Sequence, residues 1–224
     1  MANVIAIDGP SGAGKSSVSR IVGRRLGYLH VDSGALYRIM TWQCLEHGVD
    51  TSDPDAVAAF AASVEVETRP EDGAIAYYVG GEAPGNRIRT PEVTAHSSEV
   101  ARVPEVRRIV TAALRGMAAC GDLVVEGRDI TTAVFPDTPA RFYLTASAEA
   151  RARRRQKEEV EKGIANQSAD AVKASLVARD RMDSTRKCAP LMKADGALEI
   201  DSSDMTLEEV VEAVLAALPQ SWRR

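Results

Sequence analysis

Apolar residues in this chain fall into short unbroken runs, and between the runs the hydrophobic period is helical. Asn3–Ile7, NVIAI, is an apolar run closed by Asp8-Gly9 and reads as a buried strand. From Lys15, KSSVSRIVGRRLG puts Val18, Ile21, Val22 and Leu26 on one helical face, with Gly27 as the stop. YLHV (Tyr28–Val31) predicts a second strand, and SGALYRIMTWQCLEHG a second helix ending near Gly48. DPDAVAAFAAS, opening on an aspartate and a proline, predicts a short third helix. The period then changes to two. VEVETR (Val64–Arg69) alternates, RPEDG signals a turn and AIAYYVGG follows, which predicts a β-hairpin within Val64–Gly81. Helical periodicity returns across Val103–Ala119. DLVVEG and ARFYLTA predict two more buried strands, Glu149–Lys162 a charged helix and Asp170–Ser184 another. ALEID predicts a last strand and TLEEVVEAVLAAL a last amphipathic helix.

Strands alternating with helices imply an α/β fold, a parallel sheet with helices on both faces. The β-rich piece near residues 64–90 is an insert in that pattern. Arg155–Asp170 is polar, carries Gly163, and reads as a lid.

Composition narrows the function. At 224 residues, 45% hydrophobic and 27% charged, the chain is an ordinary globular protein of one domain, or one core with an insert. Only 4% is aromatic and the net charge is −4, which argues against nucleic-acid and anionic-membrane partners. Cys44, Cys120 and Cys188 lie far apart without CxxC spacing, and His30, His47 and His96 lack ligand spacing. No apolar run is long enough to span a bilayer, and a cleaved leader would destroy a motif that begins at residue 9. The expectation is a cytoplasmic protein.

That motif is GPSGAGKS, Gly9–Ser16, a full G-x-x-x-x-G-K-[ST] between a predicted strand and a predicted helix. Gly9, Pro10, Ser11, Gly12, Ala13 and Gly14, with Lys15, Ser16 and Ser17, form the expected ATP site. Gly12 and Gly14 let the backbone wrap an anion, and successive N–H groups point at phosphate. Lys15 reaches the β- and γ-phosphates, and the Ser16 hydroxyl ligates Mg²⁺, partly through water. Glu126, ending the strand LVVE, either touches the metal or is an ordinary acid at a strand end.

A phosphate cradle does not say what receives the phosphate. D-x-x-G and N-K-x-D, the signatures of a GTPase switch, are absent. Phosphotransfer needs a second anion site and extra positive charge. Arginines recur in DSGALYR (Arg38), GRD (Arg128), RARRR (Arg151, Arg153, Arg154, Arg155) and RDRMDSTR (Arg179, Arg181, Arg186), several of them just after strands or at helix starts. Asp129 sits beside Arg128, and Asp183 lies between Arg179 and Arg186 on one helical face. Asp183 is either an ion-pair staple or an acceptor for sugar hydroxyls.

These residues resemble a known family. AIDGPSGAGKSSVSR, DSGALYR, IRTPEVTAHSSEVARVPEVR, VVEGRDI, VFPD, FYLTASAEARARRR, RDRMDSTR and APL occur in the order seen in bacterial cytidylate kinases, nucleoside monophosphate kinases that phosphorylate CMP and dCMP with ATP. The resemblance implies a P-loop NTPase-type fold with a five-stranded parallel sheet, a small β-rich insert and a short lid. It implies a core of residues 1–32, 104–150 and 185–224, a monophosphate-binding region of 33–103 and a lid of 151–170. It further implies that Ser98, Arg107 and Asp129 read cytosine with Ser33 nearby. Arg38, Arg128 and Arg186 would hold the acceptor phosphate, Arg179 and Asp183 the sugar, and Arg151 and Arg155 would cover the phosphates. The catalytic set is then Lys15, Arg128, Arg151, Arg155 and Arg186, Mg²⁺ accompanies ATP, and the protein is a monomer. A cytosine pocket does need an acceptor such as Asp129 beside donors such as Arg107 and Ser98.

Two departures stand out. Thr131 replaces the glycine that usually follows GRD-x, and ALRGMAA stands where many members carry a Gln-Arg pair. The expected chemistry is in-line transfer of the γ-phosphoryl to the 5′-phosphate of CMP. A kinase for a hydroxyl acceptor, with Asp32 or Asp129 as base, and a nucleotide-dependent regulatory module are the alternatives.

Overall fold

The computed structural model describes residues 2–161 and 168–223. Its centre is a sheet in the order β3-β4-β2-β5-β1-β6-β7. Six strands run parallel: β1 (Val4–Asp8), β2 (Leu29–Asp32), β4 (Ala74–Tyr78), β5 (Leu123–Gly127), β6 (Ala140–Thr145) and β7 (Leu198–Asp201). The sheet has seven strands, not the expected five. The insert's hairpin, β3 (Glu67–Glu71) and β4 (Ala74–Tyr78), is antiparallel within itself and continues the sheet beyond β2, joined by the His30–Ala74 pair. The hairpin also sits later than its alternating pattern predicts. Asp72 and Gly73, both at positive φ, make the two-residue turn, so Pro70 and Glu71 belong to the strand. Pro70 is tolerated because β3 is an edge strand.

Alternation along each strand assigns the two faces. Val4 and Ala6 of β1, with Leu123 and Val125 of β5, pack against α2 (Ser33–Glu46), α3 (Pro54–Ala61) and α5 (Pro104–Gly116), through residues such as Leu36, Val57, Val110 and Leu114. Ile5, Ile7 and Val124 face the other way, onto α1 (Lys15–Leu26) and α8 (Leu207–Ala217), meeting Val18, Val22, Leu26 and Val211. Each fully buried Val or Leu is worth about 1.5–3 kcal/mol, so these two layers carry the fold.

Local signals set the helix ends. Asp53 caps α3 by accepting from the N–H groups of Asp55 and Ala56, with Pro54 in the first position. Thr206 and Glu209 form a capping box on α8. The sequence pattern missed α4 (Pro91–Val100), whose buried face includes Ser97 and Ser98 and so lacks an apolar stripe. The charged helix is α6 (Ala148–Glu161), and α7 spans Ala169–Thr185. The expected lid, 151–170, covers most of α6 and the start of α7; its residues 162–167 lie outside the described part.

Candidate active site

Beyond the C-terminal ends of β1, β2 and β5, flanked by α4 and α7, lies a cleft of about 200 Å³. One wall is the turn from β1 into α1. Gly9 has φ 149°, and a Cβ there would stand 1.9 Å from the Leu144 carbonyl oxygen, so only glycine fits. Gly12 and Gly14 also have positive φ, which curls the backbone before α1. Ser11, Gly12, Gly14, Lys15, Ser16 and Ser17 line the cleft. Lys15 is buried and folds back, donating from Nζ to the Pro10 carbonyl at 2.8 Å. Burial, and then the nearby Arg128 cation, push it down to about 7.

The opposite wall is built from α2, the loop after β5, α4 and α7. Ser33, Arg38, Ser98, Arg128, Asp129, Arg179, Asp183 and Arg186 all reach the same cleft, as does Arg155 from α6. Two carboxylates organise the cations. Asp129 pairs with Arg107 through one oxygen and with Arg186 through the other, at 3.3 Å. Asp183 pairs with Arg128 at 3.2 Å and accepts from the Ser98 hydroxyl at 3.4 Å. Arg107 stacks over the Tyr37 ring, 5.3 Å from its centroid, and stands behind Asp129 rather than on the cleft wall.

Three buried donors on this wall, Arg38 Nε, Arg179 Nε and the Tyr37 hydroxyl, have no hydrogen-bond partner among the described residues. Burying a polar group unpaired costs about 1–3 kcal/mol, so three around one cleft point to a polar ligand that satisfies them. Burial, with Arg128 next to it, pushes Arg179 down to about 10, still cationic at neutral pH.

Besides Arg107, expected to read the base but set behind Asp129, a second expected side chain sits elsewhere. Arg151 does not line the cleft; it lies behind the glycine turn, pairing with Asp180 and donating to the Ser11 carbonyl at 3.0 Å. Asp180 in turn accepts from the Ser11 N–H at 3.0 Å. Sequence reasoning passed over Asp180, although it adjoins Arg179 in RDRMDSTR. It also passed over Tyr37 and Arg89, both on the cleft wall. Arg89 lies 3.4 Å from Asp32, which also pairs with Arg38 at 2.7 Å. Burial alone would raise Asp32, but these two arginines outweigh it and hold the carboxyl at about 2.

Among the described residues no three His, Cys, Asp or Glu side chains gather as metal ligands. The donor set nonetheless suits Mg²⁺, which keeps several waters and is held through few protein groups plus phosphates. Ser16 and Glu126 face the same cleft, Glu126 being held at 3.2 Å by His30.

Under the floor of the cleft, Asp8 is fully buried and accepts from the N–H of Ile130 (2.8 Å), the N–H of Thr131 (2.7 Å) and the Thr131 hydroxyl (2.6 Å). Burial outweighs those bonds and raises its pKa from 3.8 to about 6. Between these values the folded state binds the extra proton, so acidification stabilises the fold through Asp8 and a rise through the window removes that gain. The unfolding free energy of wild type minus that of Asp8→Asn is expected to be larger at pH 4.5 than at pH 7.5, by about 2 kcal/mol. Urea titrations at both values check this; a flat or inverted difference contradicts it.

Comparison with known proteins gives the family of the chain. The chain matches the cytidylate kinase family over residues 5–220. It is 45% identical over 214 residues to a cytidylate kinase of Streptomyces griseus subsp. griseus, covering 95% of this chain and 90% of that protein. It is 44% identical over 210 residues to a cytidylate kinase of Mycobacterium avium, covering 93% and 92%. A bifunctional pantoate ligase/cytidylate kinase of Synechococcus sp. is 45% identical over 212 residues, which span 94% of this chain and 43% of that one. The glycine turn and the arginine-lined wall are therefore features of a chain that belongs to the cytidylate kinase family.

Proposed function

We propose that the chain transfers the γ-phosphoryl of ATP to CMP and dCMP, with the glycine turn as the donor site and the arginine wall as the acceptor site. The observation that carries this reading is the meeting of Lys15, the Arg38–Arg128–Arg186 set and three unpartnered donors in one cleft. In-line transfer between two polyanions is mostly positioning and charge neutralisation. Gly9–Ser17 cradle the donor phosphates, and Lys15 leaves the Pro10 carbonyl to meet them. Arg38, Arg128 and Arg186 take the acceptor phosphate, and Arg155 lies over the transferring group. Ser16 and Glu126, which face the same cleft, would hold the Mg²⁺ that accompanies ATP, and the ion would supply charge neutralisation at the phosphates. α6 and the start of α7 are the cover that excludes water. Arg151 serves this site by holding the Ser11 peptide rather than by touching phosphate.

A hydroxyl acceptor would need a carboxylate base. Asp32, held at about 2, is a poor one, and Asp129 is engaged by two guanidiniums. A phosphate acceptor is already nucleophilic. Asp129 keeps lone-pair capacity for the cytosine amino group beside its two arginines.

The test is ADP release with ATP and Mg²⁺ against CMP, dCMP, UMP and no acceptor. Release that requires CMP or dCMP supports the proposal; release indifferent to acceptor contradicts it. Within it, Arg179 and Asp183 contact the sugar. Asp183→Ala is expected to change kcat/KM for CMP and dCMP by different factors, since the two substrates differ only at the 2′ position. Identical losses argue against recognition there.

A further inference from the structure

The loop carrying Arg128 and Asp129 is fastened at both ends. Residues Ile130–Val134 wind into a single wide turn in which the Asp129 carbonyl accepts from the N–H groups of Ala133 (2.9 Å) and Val134 (3.2 Å). At its far end, Arg115 of α5 donates to the carbonyls of Ala133 and Val134, both at 2.9 Å. At its near end, the Asp8 carboxylate takes both leading N–H groups and the Thr131 hydroxyl. Asp8 is the last residue of β1, and Gly9, against the Leu144 carbonyl, begins the glycine turn. The two walls of the cleft therefore meet at one buried carboxylate.

Thr131 makes two of the three bonds. Its hydroxyl is 2.6 Å from Asp8, and the residue is 1% exposed. A glycine at this position would keep the N–H bond and lose the hydroxyl bond.

We propose that Thr131 is a positioning residue: through Asp8 it fixes the loop bearing Arg128 and Asp129 to the root of the glycine turn, and so sets the spacing between the acceptor and donor subsites. The proposal rests on the cleft reading given above. Such a residue acts when both substrates are present, because it aligns one site against the other and contributes little to either alone. Thr131→Val keeps shape and removes the donor, whereas Thr131→Ser keeps the donor.

The experiment measures kcat with ATP and CMP, together with calorimetric Kd values for MgATP alone and CMP alone, on the full-length variants. Thr131→Val is expected to lower kcat about tenfold and to leave both single-substrate Kd values within about twofold, while Thr131→Ser stays within about twofold of wild type in kcat. The proposal is overturned by three results: kcat unchanged in Thr131→Val, Thr131→Ser failing as badly as Thr131→Val, or Kd weakening in step with kcat. If Thr131→Val does not fold, Thr131→Gly takes its place with the same expectations. Lys15→Ala and Asp129→Ala run beside them. Loss of turnover in those two with none in Thr131→Val sinks only the positioning role; full turnover in all three sinks the cleft reading as well.

Discussion

Lys15→Ala is expected to fold as wild type does and to lose about a thousandfold in kcat. Removing a preorganised cation from a water-poor site forfeits stabilisation that exists only while charge moves. The fold should not notice. Lys15 belongs to no apolar cluster among the described residues, and its ammonium donates to the Pro10 carbonyl only five residues away. Its ammonium is already disfavoured by burial, which holds it near 7. Truncation thus removes a strained charge rather than a support, and the thermal midpoint is expected to hold steady or rise. Steady-state turnover of the purified variant with ATP and CMP, beside a thermal melt, makes the check. Turnover within tenfold of wild type would remove Lys15 from the transfer step.

The second large effect concerns the base. Asp129→Ala is expected to lower kcat/KM for CMP by about 5- to 150-fold, since an unpaired buried polar group costs about 1–3 kcal/mol. UMP should lose much less, because its carbonyl no longer faces a carboxylate. The structure adds a complication. The same substitution strands Arg107 and Arg186, two buried guanidiniums that share Asp129, so some activity falls for every acceptor. The ratio of kcat/KM for CMP over UMP separates the two contributions: loss of the pair network cancels in it, and loss of base recognition does not. A ratio that stays fixed while both activities fall makes Asp129 a structural partner of the arginines. ATP affinity, measured separately, should barely move, as Gly9–Ser16 hold the donor on the other wall.

Much of this was legible in the chain alone, for a definite reason. Hydrophobic periodicity records how many faces of an element are buried, and turn residues record where it ends. β1, α1 with its stop at Gly27, β5, β6 and α8 follow from those two signals. The glycine turn was legible because only glycine tolerates its backbone, a constraint written into each position separately. What periodicity does not record is the partner. The hairpin's alternation predicted paired strands, but not that they would continue the main sheet and bring it to seven. α4 escaped because the face it buries includes serines that turn toward the cleft rather than an apolar stripe. The arginines were visible as a set, and only tertiary packing sorted them: Arg155 reaches the cleft, while Arg151, four residues earlier on the same helix, is drawn to Asp180 and the Ser11 peptide. Asp8 and Thr131 stand 123 positions apart, and nothing local to either announces the other. Sequence determines what each segment must hide; which buried donor meets which buried acceptor is decided when the strands come into register, β1 against β5 with Asp8 beside Gly127.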